Sequence, residues 1–204
     1  MKARPMDWLV FWALNRQHFT WDKVMYRSRN SFSIRLRKGG MDPFSAYRRN
    51  SRGPCADPPA KVHPKLMFGP GFYLTDQFIA KHNITHVINC ADDSVLSSDV
   101  KKYFGDRYVV LNAIDSPNVN ITDWYPFFES KMNEFLRDTE SKVIYVNCQM
   151  GMNRSGFLVA LYSCIKFGYP YEAVTRAILL QRPCALMNSV FHQQVQEYIK
   201  KQHE

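Results

Sequence analysis

The segment that most constrains the fold is a short apolar run that is followed by a polar loop and then by a helical pattern. Lys142–Val146 reads KVIYV, a β-branched run typical of a buried strand. Residues 147–155 read NCQMGMNRS, and a helix is predicted from Ser155 to Phe167, ended by Gly168. A strand that enters a helix through a tight loop indicates an α/β architecture.

Further strands and helices alternate along the chain. Strands are predicted at residues 71–74, 86–90 and 108–112, and helices at residues 75–82, 122–137, 171–180 and 189–201. We therefore expect an α/β fold with a central, mostly parallel sheet of four to five strands flanked by helices. No apolar run approaches the ~20 residues that a transmembrane helix needs, so no transmembrane segment is expected.

The first third of the chain differs in charge from the rest. Residues 1–62 hold 13 Lys and Arg and 4 Asp, a net charge of +9, whereas residues 63–204 have no net charge. This pattern predicts a basic N-terminal extension over residues 1–62. The extension is either a solvated tail or a segment that attracts nucleic acid or another acidic surface.

A cluster of aromatic residues near the start needs a partner. Residues 6–26 have apolar residues at the spacing of a short amphipathic helix, among them Trp8, Phe11, Trp12, Phe19 and Trp21. Such a helix either packs on its own domain, forms a homodimer through residues 1–26, or lies on an anionic membrane. We favour the homodimer, because a helix on a Gly- and Pro-containing linker exchanges between protomers at low cost.

The five cysteines, at positions 55, 90, 148, 164 and 184, include no CxxC pair and show no zinc-site spacing. We expect no disulfide framework and a reducing, intracellular environment.

The loop that begins at Cys148 has the composition of a phosphate site. Its backbone N–H groups and the positive end of the following helix make an anion-binding nest. The same field favours the thiolate of Cys148, a nucleophile that needs no base. Gly151 allows the tight bend, Arg154 offers a fork to two phosphate oxygens, and Ser155 can donate to the thiolate. The predicted phosphate-binding residues are Gln149, Met150, Gly151, Met152, Asn153 and Arg154.

These residues resemble the C-x5-R-[S/T] signature of the cysteine-dependent dual-specificity protein phosphatases. Residues 84–93 (ITHVINCADD) resemble the second core strand of that family. Asp115, which lies 33 residues before Cys148, matches the family's general acid. Asn188 in RPCALMNSVF matches the asparagine that supports the phosphate loop. The GxNRSG form is also similar to phosphatases of large DNA viruses and close to the NRTG form of RNA 5′-phosphatases.

The resemblance covers roughly residues 63–201 and implies that residues 63–204 form the catalytic domain. It implies hydrolysis of phosphotyrosine and phosphoserine/phosphothreonine in a phosphorylated protein substrate, through a phosphocysteine intermediate, with no cofactor and no metal. Cys148, Arg154, Asp115 and Ser155 would be catalytic. The implied location is cytoplasmic, with a nuclear or virion-associated location as alternatives.

Two other functions stay open. The GxNRS form and the basic extension favour an RNA 5′-triphosphatase or diphosphatase. Asn147 favours a non-catalytic phosphoprotein-binding pseudophosphatase, because the family usually has histidine there and asparagine cannot carry a positive charge. We expect Asn147 to support the thiolate less well without abolishing activity. Cys90 is either a small buried hydrophobe or, as in some relatives, a redox partner of Cys148.

Overall fold

The computed structural model of the chain describes residues 57–202. The predicted aromatic helix, its dimer contact and residues 1–56 of the predicted basic extension lie outside these described residues. All residues that the structure describes belong to one compact unit.

One five-stranded sheet organises the described residues. Its strands, in chain order, are β1 (Ala60–His63), β2 (Leu66–Pro70), β3 (Ile84–Asn89), β4 (Tyr108–Val110) and β5 (Val143–Cys148). The order across the sheet is β1-β2-β5-β3-β4. Only the β1–β2 pair is antiparallel, and β2–β5, β5–β3 and β3–β4 are parallel. The prediction of a mostly parallel sheet of four to five strands is confirmed.

Helices cover both faces of this sheet. They are α1 (Asp76–His82), α2 (Ser98–Phe104), α3 (Tyr125–Arg137), α4 (Arg154–Phe167), α5 (Tyr171–Gln181) and α6 (Ser189–Lys201). Met67 of β2 packs in a buried cluster with Ile79 of α1 and Phe104 of α2. The next residue, Phe68, points to the opposite face, where its ring lies beside Gly156 of α4.

Local sequence signals set the ends of two helices. Thr75 caps α1, because its Oγ1 accepts a hydrogen bond from the Phe78 N–H at 3.3 Å. Gly168 ends the buried helix α4. It adopts a left-handed φ of +70°, and its N–H donates to the Cys164 carbonyl at 3.0 Å. The sequence predicted both the helix that starts at residue 75 and the end of α4 at Gly168.

The predicted strand at residues 71–74 is wrong. Gly71–Tyr73 is a 3-10 helix, and the strand lies earlier, at Leu66–Pro70. The Gly69–Pro70 pair is a typical turn signal in the sequence. In the structure it ends a buried strand, where Pro70 pairs with Cys148. Neither β1 nor α2 was predicted from the sequence.

The cysteines and the helices that the structure describes each bear on an expectation from the sequence. Among residues 57–202, Cys90, Cys148 and Cys164 are free and Cys184 is disulfide-bonded, so the expectation of reduced cysteines does not hold for Cys184. None of the helices in this range combines the length and apolar character that a membrane crossing requires.

The parallel strands end at one edge of the sheet. The residues that follow β2, β5, β3 and β4 therefore lie close together, which is where open α/β sheets bind their ligands. Cys148 is the last residue of β5, Cys90 follows β3, and the chain from β4 continues through Ala113 to Asp115.

Candidate active site

Cys148 and Ser155 face each other across the loop that joins β5 to α4. The Cys148 side chain is buried, and its Sγ accepts a hydrogen bond from Ser155 Oγ at 3.3 Å. Ser155 is fully buried in the first turn of α4. The thiol therefore lies at the N-terminal end of a 14-residue helix, whose dipole and free N–H groups favour an anion.

The loop between them depends on glycine at position 151. Gly151 has a φ of +58°, a conformation that residues with a side chain rarely adopt. A Cβ atom there would lie 2.1 Å from the Gly69 carbonyl carbon and 2.3 Å from the Pro70 nitrogen. The end of β2 therefore packs directly against the loop and leaves no space for a side chain at position 151. Around it, the Gln149 side chain is exposed, whereas those of Met150 and Met152 are half-buried.

Arg154 follows the loop, and its side chain contacts the segment that carries Asp115. Its Nη1 donates to the Ala113 carbonyl at 3.1 Å. Its Nε is buried and has no hydrogen-bond partner among residues 57–202. The guanidinium is therefore held in place through Nη1, while its Nε–H is unpaired. This arrangement suits the binding of an oxyanion such as phosphate.

Asp115 lies at the mouth of the site and contacts the loop through Asn153. Its carboxylate is exposed, and Asn153 Nδ2 donates to both of its oxygens, at 3.3 Å and 3.2 Å. The structure thus brings Asp115 to the loop that follows Cys148, and the role of general acid that the family resemblance implies for it stays a prediction.

Asn188 supports the loop through its backbone. Its N–H donates to Asn153 Oδ1 at 3.1 Å. The Asn188 side chain caps α6, because its Oδ1 accepts from the Val190 and Phe191 N–H groups at 3.0 Å and 3.3 Å. One residue thus begins α6 and contacts the loop.

Arg182 is a functional candidate that the sequence analysis missed. It is fully buried, and it donates from Nε to the Gly151 carbonyl and from Nη2 to the Met150 carbonyl, each at 2.8 Å. Its Nη1 donates to the carbonyls of Asp57 and Pro58. Burial lowers the pKa of Arg182 from its ordinary value. The only sequence signal was a charged residue between an apolar helix and a proline.

Asn147 belongs to a buried polar network behind the loop. Its Nδ2 donates to Asn89 Oδ1 at 3.0 Å, and the same oxygen accepts from the Ala91 N–H at 3.0 Å. Asn89 Nδ2 in turn donates to Tyr108 Oη at 3.1 Å. The remaining oxygen, Asn147 Oδ1, is buried and has no partner within residues 57–202. The residue before Cys148 is therefore neutral, and one of its polar atoms has no partner within residues 57–202.

Cys90 lies in the interior next to the same site. Its N–H donates to the Asn147 carbonyl at 2.7 Å, and its own carbonyl accepts from the Ala113 N–H at 2.9 Å. Burial, together with the charge of Cys148, raises the pKa of the Cys90 thiol well above its usual value, while Arg154 opposes the rise. Cys90 is thus an electrostatic neighbour of Cys148, and its role as a redox partner stays a prediction.

Comparison with known proteins gives the family. A model of the dual specificity phosphatase catalytic domain matches residues 70–201. The chain is 30% identical over 143 residues to the serine/threonine/tyrosine-interacting protein of Mus musculus, a match that covers 68% of this chain and 63% of that protein. It is 25% identical over 138 residues to dual specificity protein phosphatase 22 of Homo sapiens, covering 64% of this chain and 71% of the relative.

A solved structure agrees with these matches. The human tyrosine phosphatase-like serine/threonine/tyrosine-interacting protein superposes with a TM-score of 0.62 at 25% identity, covering 72% of this chain and 98% of that one. The predicted similarity to phosphatases of large DNA viruses stays a prediction. The match to the catalytic-domain model over residues 70–201, together with the shared fold, shows that this chain belongs to the dual-specificity phosphatase family.

Proposed function

We propose that the chain is a protein phosphatase that hydrolyses phosphotyrosine and phosphoserine/phosphothreonine through a phosphocysteine intermediate. The observation that supports this most strongly is the contact between Ser155 Oγ and Cys148 Sγ, 3.3 Å, at the start of α4. A buried thiol with a hydroxyl donor at a helix N-terminus is an activated nucleophile.

In the first step the Cys148 thiolate attacks phosphorus. The S–P bond forms as the P–O bond to the substrate breaks, and the electron pair leaves with the substrate oxygen. Protonated Asp115 gives its proton to that oxygen, so a neutral alcohol or phenol departs. Arg154 and the loop N–H groups stabilise the charge on the equatorial phosphate oxygens.

In the second step water hydrolyses the phosphocysteine. Asp115, now a carboxylate, accepts a proton from the water as its oxygen attacks phosphorus. The new P–O bond forms while the S–P bond breaks, and the electron pair returns to Sγ. Ser155 donates to the departing thiolate, which lowers the cost of restoring it.

Phosphate release from matched phosphotyrosine and phosphothreonine peptides tests the proposal. Cys148→Ser should abolish turnover, and Asp115→Asn should lower it by roughly 10²–10⁴-fold, the usual contribution of a positioned general acid. Cys164→Ser is the matched control, because Cys164 is also buried and free but lies farther along α4, outside the loop. It should leave turnover unchanged. Turnover that survives Cys148→Ser would refute the mechanism.

Phosphoprotein binding without turnover is the second candidate function. The chain spans 63% of the length of the first curated relatives, and these are named for interaction with serine, threonine and tyrosine. The neutral Asn147 behind the nucleophile also favours this candidate. Wild-type protein that binds a phosphopeptide and releases no phosphate over hours would support it. A Cys148→Ser pull-down identifies protein partners under either function.

The remaining sequence predictions are separate proposals. Release of phosphate from triphosphorylated RNA would support the RNA 5′-phosphatase alternative. A homodimer through residues 1–26, a nucleic-acid or acidic contact through residues 1–62, and the intracellular location rest on the sequence alone.

A further inference from the structure

The Asn153 side chain makes four hydrogen bonds that join three separate parts of the site. Its Oδ1 accepts from the backbone N–H groups of Met187 and Asn188, at 2.9 Å and 3.1 Å. Its Nδ2 donates to the two Asp115 carboxylate oxygens, at 3.3 Å and 3.2 Å. Because N–H groups only donate, the two backbone contacts require the oxygen on that side, which turns the Nδ2 toward Asp115.

We propose that Asn153 is a positioning residue for the general acid, which holds the Asp115 carboxylate over the phosphate loop. This inference rests on the proposed phosphatase function. It assigns to the Asn153 side chain a task beyond the phosphate binding that the sequence predicts for the loop.

The surroundings of Asp115 explain why such a residue is needed. The chain around it, from Leu111 to Asn120, forms no regular helix or strand, and the Asp115 side chain is exposed. The backbone is tied to the site at Ala113, which accepts from Arg154 and donates to the Cys90 carbonyl. An exposed carboxylate samples several rotamers, and two hydrogen bonds from one rigid amide select a single orientation.

The amide also acts on the chemistry. As Asp115 passes its proton to the leaving oxygen, negative charge grows on the carboxylate that Asn153 Nδ2 contacts. A hydrogen bond to an ionised acceptor is stronger than one to a neutral acceptor. The contact therefore strengthens toward the transition state of the first step, which is the property that accelerates a reaction.

Asn153→Asp is the decisive variant because it is nearly isosteric. It keeps an oxygen for the Met187 and Asn188 N–H groups and replaces the donor to Asp115 by a carboxylate oxygen. We expect kcat on a phosphotyrosine peptide to fall by about 10–10²-fold, part of the contribution of a general acid. On an aryl phosphate whose phenol is strongly acidic, kcat should fall by less than about threefold, since that leaving group needs little protonation.

A double-mutant comparison separates positioning from a merely structural effect. In an Asp115→Ala background, Asn153→Asp should lower kcat on the phosphotyrosine peptide by a factor that is at least about fivefold smaller than in the wild type, because the group through which it acts is gone. Equal losses on both leaving groups, or the full loss in the Asp115→Ala background, would overturn the proposal. Thermal melting of each variant checks that it is folded.

A measurement without turnover keeps this inference distinct from the proposed function. The NMR signal of the Asn153 side-chain N–H that contacts Asp115 should move in Asp115→Ala, and its exchange with solvent should become faster, because its acceptor is gone. If the wild-type protein has no phosphatase activity, the proposed function is refuted. The NMR measurement still decides whether the Asn153 side chain holds the Asp115 carboxylate. An Asn153 side-chain signal that is the same in the wild type and in Asp115→Ala would refute the positioning role, whatever the activity.

Discussion

The Asn147 side chain donates to Asn89 Oδ1 at 3.0 Å directly behind the nucleophile, and its own Oδ1 is buried without a partner among residues 57–202. The hydrogen-bonded pair of Asn147 and Asn89 is therefore neutral. No positive charge from this position supports the Cys148 thiolate, which depends on the helix end, the loop N–H groups and Ser155.

Asn147→His should strengthen that support. A protonated ring beside the loop would favour the thiolate, so the acidic limb of the pH–rate profile should move to lower pH by roughly one unit, the effect of a nearby charge. Alkylation of Cys148 by iodoacetamide near neutral pH should become faster. Asn147→Gln, which keeps the amide and stays neutral, is the control. Equal alkylation rates in the wild type and Asn147→His would show that position 147 does not tune the thiol.

Gly151→Ala should disable the loop. The added Cβ would lie 2.1 Å from the Gly69 carbonyl carbon, so the loop or the end of β2 must move. We expect kcat/KM on a phosphopeptide to fall by at least about 10²-fold, as misplaced catalytic groups do. Gly105→Ala is the matched control, since Gly105 also has a positive φ, +52°, but nothing within 4 Å of an added Cβ.

The control separates backbone strain from the clash. Gly105→Ala should lower the free energy of unfolding by about 1–3 kcal/mol, the cost of an unfavourable backbone conformation, and leave kcat/KM unchanged. If Gly151→Ala and Gly105→Ala each lose kcat/KM in proportion to their loss in free energy of unfolding, the close approach of Gly69 and Gly151 has no catalytic importance.

Arg182→Met should weaken both the fold and the loop. Methionine fills much of the volume but leaves the Met150 and Gly151 carbonyls without their donor. We expect the free energy of unfolding in urea to fall by about 3 kcal/mol, since each unpaired buried group costs ~1–3 kcal/mol. The inhibition constant of vanadate, an oxyanion that mimics phosphate, should rise. Arg176→Met, an exposed position on α5, should change the stability by less than ~0.5 kcal/mol. Unchanged vanadate inhibition in Arg182→Met would contradict the role of Arg182 in the loop.

His86 should make the stability depend on pH. Burial lowers its pKa from the ordinary value of 6.5, although the hydrogen bond with Asp138 at 3.0 Å partly opposes this. Below pH 6.5 the unfolded chain therefore binds a proton that the folded chain resists. The free energy of unfolding should fall as the pH drops below about 6.5 and level off below the folded pKa.

His86→Gln removes this contribution. Urea unfolding at several pH values between 5 and 7.5 should give a flatter profile for the variant than for the wild type. Some slope should remain, because burial and Lys81 also lower the pKa of His82. Identical slopes in the two proteins would show that His86 does not titrate differently in the folded chain.

Features determined by neighbouring residues were predictable from the sequence. Thr75 and Gly168 cap their helices because their preferences act within one turn. Cys148, Arg154 and Ser155 come together because a strand, a tight loop and a helix follow one another directly. Asp115 was different, since only the family resemblance and its spacing to Cys148 indicated its position.

The tertiary structure decided which distant segments support that loop. Arg182 reaches the carbonyls of Met150 and Gly151 from more than 30 positions away, and Asn153 contacts Asp115 across 38 positions. The sequence by itself determined the strand, the loop, the helix and the place of Cys148 between them, because the interactions that form them are local. The partners of the loop depend on which strands pair and which helices pack against them, and these long-range contacts leave no periodic pattern along the chain.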